Sequence, residues 1–401
     1  ILWICHRKEL CYQASETFER VWQKIAFDDY ANPWGRDLNI HRFWGDVNWS
    51  DNGGSSENSA LSRRIDREGG ALVICTIDTL REIANNNDES HTEAREGIMG
   101  PDCVVIDEAH RFETPRYRET LAGVGVGLNL TSRDQFGGRL IGLTATPYRS
   151  DERQMSYMYR RYGGRFLLDD LIGTESPTAN QVRTSIASLR SRLEEKGVLA
   201  KAVVQMVSFG DQRRDVGSEA LDEFSDLKES WMKTNLGNNS NRNQAMVEKI
   251  VELNQEGRKS ILFFGLSVEH SKLVTMSLNS IGIRSEVVHS KTRRVTRRSF
   301  VERFRRGEIE VLSNYGIFDT GFDAPNVDAI VIARPIGSEV LLQQIVGRGL
   351  RGREFGGTDD CVIVAVQDMI FVQREDNEGN IRTENYGLQE DEIKGVLGEE
   401  E

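Results

Sequence analysis

Two adjacent carboxylates at the end of an apolar run are the residues of this sequence best suited to chemistry. Asp107 and Glu108 directly follow Val104–Ile106, and such a run predicts a strand buried on both faces of a parallel sheet. Open α/β sheets bind ligands outside the carboxyl ends of their strands. There, Asp107 would hold Mg²⁺ and Glu108 would orient and deprotonate water, the minimum for hydrolysing a nucleoside triphosphate. The plainer alternative is a strand followed by an acidic helix N-cap.

Two arginines in the second half of the chain form the strongest single pattern. Arg348 and Arg351 lie in the run Gln344–Arg351, which has the sequence QIVGRGLR, and they share a face if the run is helical. The glycine before Arg348 lets the backbone approach a neighbour closely. Arginines held in this way can reach a γ-phosphate bound on another lobe and supply transition-state charge. The alternative is a basic helix end favoured by the helix macrodipole.

The elements around the two carboxylates alternate between strand and helix patterns. Strands are predicted at residues 1–5, 40–44, 71–76, 104–107 and 139–143, with one helix ending near Ala26 and another at Ile77–Asn85. Strands joined by helical or loop crossovers pair in parallel. The sequence therefore predicts an α/β fold with a parallel sheet for a first domain at residues 1–150.

The rest of the chain divides into a connector, a second α/β domain and a tail. Residues 151–240 lose the alternating rhythm and are predicted as a connector with helices at 185–196 and 222–233 and a strand or hairpin at 198–209. A second parallel-sheet domain is expected at 241–370, because strands are predicted at 260–264, 285–289, 311–313, 329–333 and 360–366. Residues 371–401 are acidic and aperiodic, which predicts a solvated tail or a partner segment.

Composition indicates a globular protein without a membrane partner. Of the 401 residues, 38% are hydrophobic and 28% charged, the net charge is −12, and no apolar run reaches the length of a membrane span. The five cysteines form no CxxC pair and the six histidines are scattered, so no metal-site spacing is present. A reducing cytoplasm is the expected location. Because Ile1–Cys5 has the pattern of a strand already under way and no Met precedes it, we expect the chain to begin inside a larger protein.

Two basic stretches stand out against the acidic average. His6, Arg7 and Lys8 lie at a strand-to-helix junction, where side chains and helix N-terminal amides can contact phosphate, although a solvated turn is the alternative. A longer stretch comprises Lys291, Arg293, Arg294, Arg297, Arg298, Arg303, Arg305 and Arg306. On a helix these positions cover most of the circumference, so the sequence leaves open a salt-sensitive nucleic-acid contact or a plain charged surface.

Taken together, four ordered motifs resemble those of superfamily 2 helicases. They are DEAH at residues 107–110, TATP at 144–147, GFD at 321–323 and QIVGRGLR at 344–351. Their order and spacing resemble the DEAD/DEAH-box branch nearest the type III restriction endonuclease helicase subunit and XPB-like proteins. The resemblance implies two RecA-like (P-loop NTPase) lobes, with ATP and Mg²⁺ in the cleft and nucleic acid across both lobes.

The resemblance also implies a role for each matched residue. Asp107 and Glu108 match the Mg²⁺ and water-activating pair, while Gln344, Arg348 and Arg351 match the catalytic motif bearing the arginine fingers. Coupling of the ATP state to lobe movement is implied for His110, Thr144, Thr146, Gly321 and Asp323. Contact with nucleic acid, DNA in preference to RNA, is implied for His6, Arg7, Lys8, Thr76, Gly265 and Ser267.

The sequence departs from the family pattern at two points. Thr320 stands where many relatives have Glu before the glycine, and no GxxxxGK[ST] phosphate-cradling loop occurs in the 401 residues. We expect that loop on a strand and helix before residue 1; a degenerate ATPase is the alternative. The function predicted is an ATP-dependent helicase or translocase motor within a larger protein or complex, such as a restriction or anti-phage defence system. A catalytically inactive nucleic-acid-binding or scaffold module is the second reading.

Overall fold

The protein folds into two compact units. A computed structural model describes residues 1–6, 8–26, 39–44, 71–87, 89–109, 115–127, 136–144, 162, 178–210, 213–221, 227–316, 326–337, 339–375 and 381–397. The chain divides between Ile1–Ser185 and Ile186–Glu401. Among the residues so described, no helix is both long enough and apolar enough to cross a membrane.

The first unit is built on a five-stranded parallel sheet. Its strands are β1 (Leu2–Cys5), β2 (Asn39–Phe43), β3 (Ala71–Thr76), β4 (Cys103–Asp107) and β5 (Arg139–Leu143), in the spatial order β2-β3-β1-β4-β5. Every neighbouring pair runs parallel. All five predicted strands are confirmed, and the short apolar runs form strands because both faces of the sheet are covered.

Helices cover the two faces of this sheet separately. They are α1 (Lys8–Ala26), α2 (Ile77–Asn85), α3 (Glu89–Ile98) and α4 (Pro115–Gly123). Side chains alternate along a strand, so Leu2 and Ile4 join a core with residues of α2, α3 and α4. Trp3 and Cys5 face the opposite way and pack with α1. Both faces of β1 are thereby buried, as a central parallel strand requires.

The second unit contains a six-stranded parallel sheet and a small mixed sheet. Its strands are β6 (Lys201–Val207), β7 (Arg214–Val216), β8 (Ile261–Phe264), β9 (Ser285–His289), β10 (Val311–Tyr315), β11 (Ala329–Ile332), β12 (Asp360–Val366), β13 (Ile370–Glu375) and β14 (Ile381–Asn385). The large sheet has the order β6-β12-β11-β8-β10-β9, with all pairs parallel, and the small one has the order β14-β13-β7. The predicted second parallel sheet is confirmed.

Two helical layers enclose the large sheet. The helices are α5 (Ala179–Glu195), which crosses residue 185, α6 (Glu229–Met232), α7 (Ser240–Gln255), α8 (Val268–Ser280), α9 (Arg294–Arg305), α10 (Glu339–Val346) and α11 (Glu390–Leu397). Residues of α7 and α8 pack on one face of the sheet. Residues of α9, α10 and α11 pack on the other. A π-helical turn, Lys233–Gly237, joins α6 to α7.

Two predicted boundaries differ from the structure. The connector predicted at 151–240 is not separate, because β6 pairs with β12 along its whole length and forms the edge of the large sheet. The helix predicted at 222–233 begins only at Glu229 among the described residues. The predicted solvated tail at 371–401 instead contributes β13, β14 and α11. In α11 the side chains of Glu390, Asp391 and Glu392 are exposed, while Ile393 and Leu397, four residues apart, form the buried stripe.

Candidate functional site

Four predicted site residues meet at the carboxyl edge of the first sheet. In the strand register, Cys5 lies opposite Thr76, Ile4 opposite Ile106 and Asp107 opposite Leu143. His6, Thr76, Asp107 and Thr144 therefore stand at, or one residue beyond, the ends of neighbouring strands. This edge is where open parallel sheets bind ligands, so the structure brings together residues that are separated by as many as 138 positions in the chain.

Asp107 has an environment that favours a bound cation. Burial raises the pKa of its carboxyl group, and a hydrogen bond from the Glu108 backbone N–H to Oδ1, at 3.0 Å, opposes that rise. A half-buried carboxylate whose ionisation is disfavoured gains most from a nearby positive charge. The described residues hold no group of three or more His, Cys, Asp and Glu side chains able to bind a metal. A single carboxylate such as that of Asp107 fits Mg²⁺, which is commonly bound through one or two protein carboxylates and completes its shell with phosphate and water.

Glu108 is held in a strained backbone conformation. Its φ is +57°, and within the described part of the chain it is the one non-glycine residue with positive φ. The left-handed region costs an L-residue about 1–2 kcal/mol. Strain of this kind persists where the surrounding structure fixes it and is concentrated at functional sites. The chain turns sharply at this carboxylate, immediately after β4, with Ala109 buried behind it.

Thr76 ends β3 and begins α2. Its Oγ1 accepts a hydrogen bond from the Thr79 backbone N–H at 3.3 Å and pairs with the Thr79 hydroxyl at 2.9 Å. The side chain is thus an N-cap and is nearly buried. At the neighbouring strand end His6 is half-buried, and Lys8 begins α1 with an exposed side chain. Arg7, His110, Thr146, Gly321 and Asp323 lie outside the described residues.

In the second unit, the turn Gly265–Ser267 follows β8 at the carboxyl edge of the large sheet. The Gly265 N–H donates to the Asn314 carbonyl at 3.0 Å, and the Leu266 N–H donates to His270 Nδ1 at 3.3 Å. The Ser267 hydroxyl accepts from the His270 N–H at 3.1 Å and is fully buried. Ser267 is therefore the N-cap of α8 in this conformation. A nucleic-acid contact at Gly265 and Ser267 stays a prediction, and the buried hydroxyl does not provide it here.

A buried polar network that sequence reasoning missed lies next to this turn. His270 is neutral, because burial and the charge of Arg242 lower its pKa to about 3. Since Nδ1 accepts from Leu266, the ring proton lies on Nε2 and is donated to Asn243 Oδ1 at 3.0 Å. Arg242 forms two hydrogen bonds with Asp368, at 2.8 and 2.7 Å, and both side chains are buried. No local sequence signal pairs residues 126 positions apart.

The run with the two arginines is a helix end followed by a turn. Helix α10 ends at Val346, and Arg348 and Gly349 donate backbone hydrogen bonds to Ile345 and Val346 at 3.1 and 3.0 Å. A side chain at Gly349 would overlap the Cys361 sulfur and lie 3.1 Å from Ile330. The glycine therefore lets this turn rest directly on β11 and β12.

Arg351 is placed by a different set of bonds. It forms an isolated antiparallel bridge with Leu199, the Ala200 N–H donates to Leu350 at 3.1 Å, and the Gly352 N–H donates to Val198 at 3.0 Å. The shared helix face predicted for Arg348 and Arg351 is therefore not observed. Burial, and then the charge of Arg305, lowers the pKa of the Arg351 guanidinium.

The long basic stretch divides into two halves. In the C-terminal half, Arg303 pairs with Glu286 at 3.2 Å and Arg306 with Glu302 at 3.3 Å. At the N-terminal end, Lys291, Arg293 and Arg298 are exposed. The pKa of His289, which ends β9, is lowered by partial burial and then by the charges of Lys272, Lys291 and Arg297. The exposed cations thus gather at the carboxyl end of β9, at the same edge as the turn after β8.

Comparison with known families accounts for both units. Residues 1–149 match the model described as the type III restriction enzyme res subunit. Residues 242–353 match the model described as the helicase conserved C-terminal domain.

The chain also resembles two curated proteins at low identity. IRC3 of Saccharomyces cerevisiae carries a provisional name as an ATP-dependent helicase; it is 24% identical over 99% of this chain and 48% of its own length. The DNA 3'-5' translocase XPB2 of Sulfurisphaera tokodaii is 25% identical over 67% of this chain and 60% of its own. The chain thus spans about half of the first relative.

A solved structure shares the architecture. The helicase Lhr of Mycobacterium smegmatis, determined with ssDNA and AMP-PNP, superposes with a TM-score of 0.53 and 17% identity. The match covers 90% of this chain and 39% of the other. Likeness at this identity concerns the fold, and it confirms the α/β, RecA-like architecture predicted from the sequence.

Proposed function

Because this chain belongs to the superfamily 2 helicases related to the res subunit of type III restriction enzymes, we propose that it is the motor part of an ATP-dependent nucleic-acid translocase or helicase. The observation that carries the proposal is the strained Glu108 beside a half-buried Asp107 at the carboxyl edge of a parallel sheet. A carboxylate with a raised pKa beside a strained backbone conformation is expected where both residues take part in a reaction.

The proposed chemistry is hydrolysis of the γ-phosphoryl group of ATP. Asp107 would hold the Mg²⁺, which would neutralise phosphate charge. Glu108 orients a water molecule and accepts its proton as the water oxygen bonds to the γ-phosphorus, while the bond from that phosphorus to the β,γ-bridging oxygen breaks and ADP leaves. Arg348 and Arg351 supply positive charge to the transition state, with Gln344 as the polar member of the same motif. His110, Thr144, Thr146, Gly321 and Asp323 couple the nucleotide state to movement.

Nucleic acid is the proposed track of the motor, with DNA in preference to RNA. His6, Arg7, Lys8 and Thr76 are assigned to the first unit's contact with the phosphate backbone. The turn of Gly265 and Ser267 is assigned to that of the second unit, with the Ser267 hydroxyl kept as the N-cap of α8. The exposed cations Lys291, Arg293 and Arg298 add a sequence-independent contact. For the basic stretch we propose a phosphate contact at its N-terminal end, supported by these exposed cations, and a plain charged surface at its C-terminal end, supported by the pairs of Arg303 with Glu286 and Arg306 with Glu302.

Nucleic-acid-stimulated ATP hydrolysis by the full-length protein tests the proposal. Hydrolysis is measured with Mg²⁺ alone and then with single-stranded DNA, duplex DNA or RNA, and strand displacement is followed in parallel. We expect stimulation by DNA, weaker binding as salt concentration rises, and loss of activity on removal of Mg²⁺. Asp328→Asn is the matched control for an Asp-to-Asn substitution at Asp107. Asp328 accepts the Lys259 and Ser260 N–H groups at 2.8 and 3.1 Å, and it lies at the amino edge of the large sheet, the edge opposite the turn after β8.

A second candidate is a helicase-like module that binds nucleic acid without turning over ATP. The two candidates differ in whether the full-length protein carries the GxxxxGK[ST] loop that cradles the phosphates of ATP. Nucleic-acid binding with no stimulated hydrolysis by the full-length protein would select this candidate. Membership of a restriction or anti-phage complex is a finer proposal supported by the res-subunit match, and a cytoplasmic location is a proposal supported by five free cysteines.

A further inference from the structure

The segment between β11 and α10 leads into that helix and the turn at residues 347–351 after it, which we name the arginine turn. Residues 333–337 lead from the carboxyl end of β11 towards α10, and Gln344 and Arg348 follow on that helix and its end. Catalytic groups must be held within a fraction of an ångström of their productive positions. The groups that fix both ends of this segment therefore bear on the proposed chemistry without touching nucleotide.

The first end of the segment is fixed by the buried ion pair. The Ala333 N–H donates to the Phe264 carbonyl at 2.9 Å, and the Ala333 carbonyl accepts from Arg242 Nη2. Arg242 is fully buried and is held in turn by both carboxylate oxygens of Asp368. Because both carboxylate oxygens of Asp368 hold the planar guanidinium of Arg242, the N–H that it donates to Ala333 points in a fixed direction.

The second end is fixed by a tyrosine. Gly337 lies against the Tyr386 side chain so closely that a Cβ there would overlap the hydroxyl oxygen and stand 2.5 Å from the ring carbon Cζ. Tyr386 is buried, and its N–H donates to the Ile370 carbonyl at 2.7 Å. A Cβ at the next residue, Gly387, would overlap the Asp368 carbonyl oxygen. The groups that hold the two ends of the segment are thus joined to each other.

The outer face of α10 is covered by the same part of the chain. Ile393 and Leu397 of α11 and Leu388 before it belong to one core cluster with Leu342 and Ile345 of α10. All of these contacts come from the described residues between Asp368 and Leu397, which we name the C-terminal clamp. It contacts α10 on its face, the preceding segment at Gly337, and Ala333 through Arg242.

We infer that the C-terminal clamp positions the arginine turn, with Tyr386, Asp368 and Arg242 as positioning residues for Gln344 and Arg348. The expected effect on ATP hydrolysis rests on the proposed function. The expected effect on the position of α10 rests on the contacts alone. The clamp is part of the second unit and acts through α10 on a transition state that it does not touch. Loss of Tyr386 should free the segment at Gly337 and let α10 shift.

The test combines two readouts on Tyr386→Ala and Tyr386→Phe. In the full-length protein, Tyr386→Ala should lower kcat for ATP about 10- to 100-fold, because small displacements of catalytic groups have effects of that size. The KM for nucleic acid should stay at the wild-type value. Tyr386→Phe keeps the ring against Gly337 and should restore most of kcat. Asp328→Asn, at the opposite edge of the sheet, should leave kcat unchanged.

Amide hydrogen exchange of the chain supplies a readout that is independent of catalysis. Tyr386→Ala should speed exchange in residues 333–351, while exchange in β8 and β10 stays slow. Unchanged exchange in 333–351, or a wild-type kcat in an active full-length Tyr386→Ala protein, would overturn the inference. An inactive wild-type protein in which exchange still responds as expected would reject the proposed function and support the positioning role.

Discussion

The carboxyl edges of the two parallel sheets hold their polar groups in different ways. At the first edge Asp107 and Glu108 are adjacent in sequence, and they sit in unfavourable states, one half-buried with a raised pKa and the other at φ +57°. At the second edge Arg242 and Asp368 are 126 positions apart, and each satisfies the other in the interior. At the first edge, residues in energetically unfavourable states lie where chemistry is proposed. At the second edge, a satisfied ion pair holds the backbone in a fixed position.

This difference predicts how a substitution at each edge should change stability. Relieving an unfavourable state raises stability and removes function. Breaking a satisfied buried pair lowers stability, because a charge is left in the interior without its partner. The two edges should therefore respond in opposite directions when their thermodynamic stability is measured.

Arg348→Ala should have the largest effect. Loss of an arginine finger lowers the rate of phosphoryl transfer by about 10³- to 10⁵-fold, and the thermal unfolding midpoint should change little because the turn ends a helix rather than filling the core. Steady-state ATP hydrolysis by the full-length protein with saturating nucleic acid measures it. Arg348→Lys keeps the charge without the planar fork and should recover only a small part of the rate. Wild-type turnover in Arg348→Ala would rule out the finger role.

Glu108→Gln should reduce the same rate by about 10²- to 10⁴-fold, the usual contribution of a general base. Nucleotide binding should persist, since the amide keeps the shape of the side chain. Glu108→Gly should be equally inactive yet more stable by about 1 kcal/mol, because glycine adopts positive φ without strain. Chemical denaturation of both variants checks the second part, and a glycine variant less stable than wild type would show that the strain is not relieved.

Asp368→Ala should lower the free energy of unfolding by about 3–5 kcal/mol, the range seen when one partner of a buried ion pair is removed. Replacing both members, as in Arg242→Met with Asp368→Leu, should recover much of the loss, since no buried charge remains. Equilibrium denaturation of the chain gives both values. If the single and double variants are equally unstable, shape rather than charge governs this edge.

Asp107→Asn should stabilise the protein, with a gain that depends on pH. Because burial raises the native pKa of Asp107 above its ordinary value of 3.8, this group favours the native state when protonated and disfavours it as pH rises through the native pKa. The asparagine variant does not titrate there, so its advantage should be larger at about pH 7 than at about pH 4. Denaturation curves at both values test the sign, and a pH-independent difference would contradict it.

Local sequence was sufficient for the first edge. The run Val104–Ile106 is apolar on both sides and ends in two carboxylates, and a parallel sheet then fixes which edge they occupy. The strand predicted at residues 40–44 lies at Asn39–Phe43 in the structure, one residue earlier. The fold class and the pair of carboxylates follow from information within a few residues.

The second edge depends on information that the local pattern lacks. The position of the turn after α10, where Gly349 lies against Cys361 and Ile330, is set by the sheet beneath it. The burial of Ser267 follows from the way α8 packs on β8 and β10. The sequence does not predict α11, because acidic residues surround Ile393 and Leu397, the two buried residues of that helix. Each of these features is decided by tertiary packing, which outweighs local propensity.

The bonds between the Arg351 segment and residues 197–200 have a mechanical consequence. Backbone hydrogen bonds join Leu350 to Ala200, Val198 to Gly352 and Gly197 to Glu354, and such bonds resist stretching far more than loops resist bending. Because Arg351 also bridges Leu199, we expect the position of its backbone to follow that of the polypeptide that leaves α5.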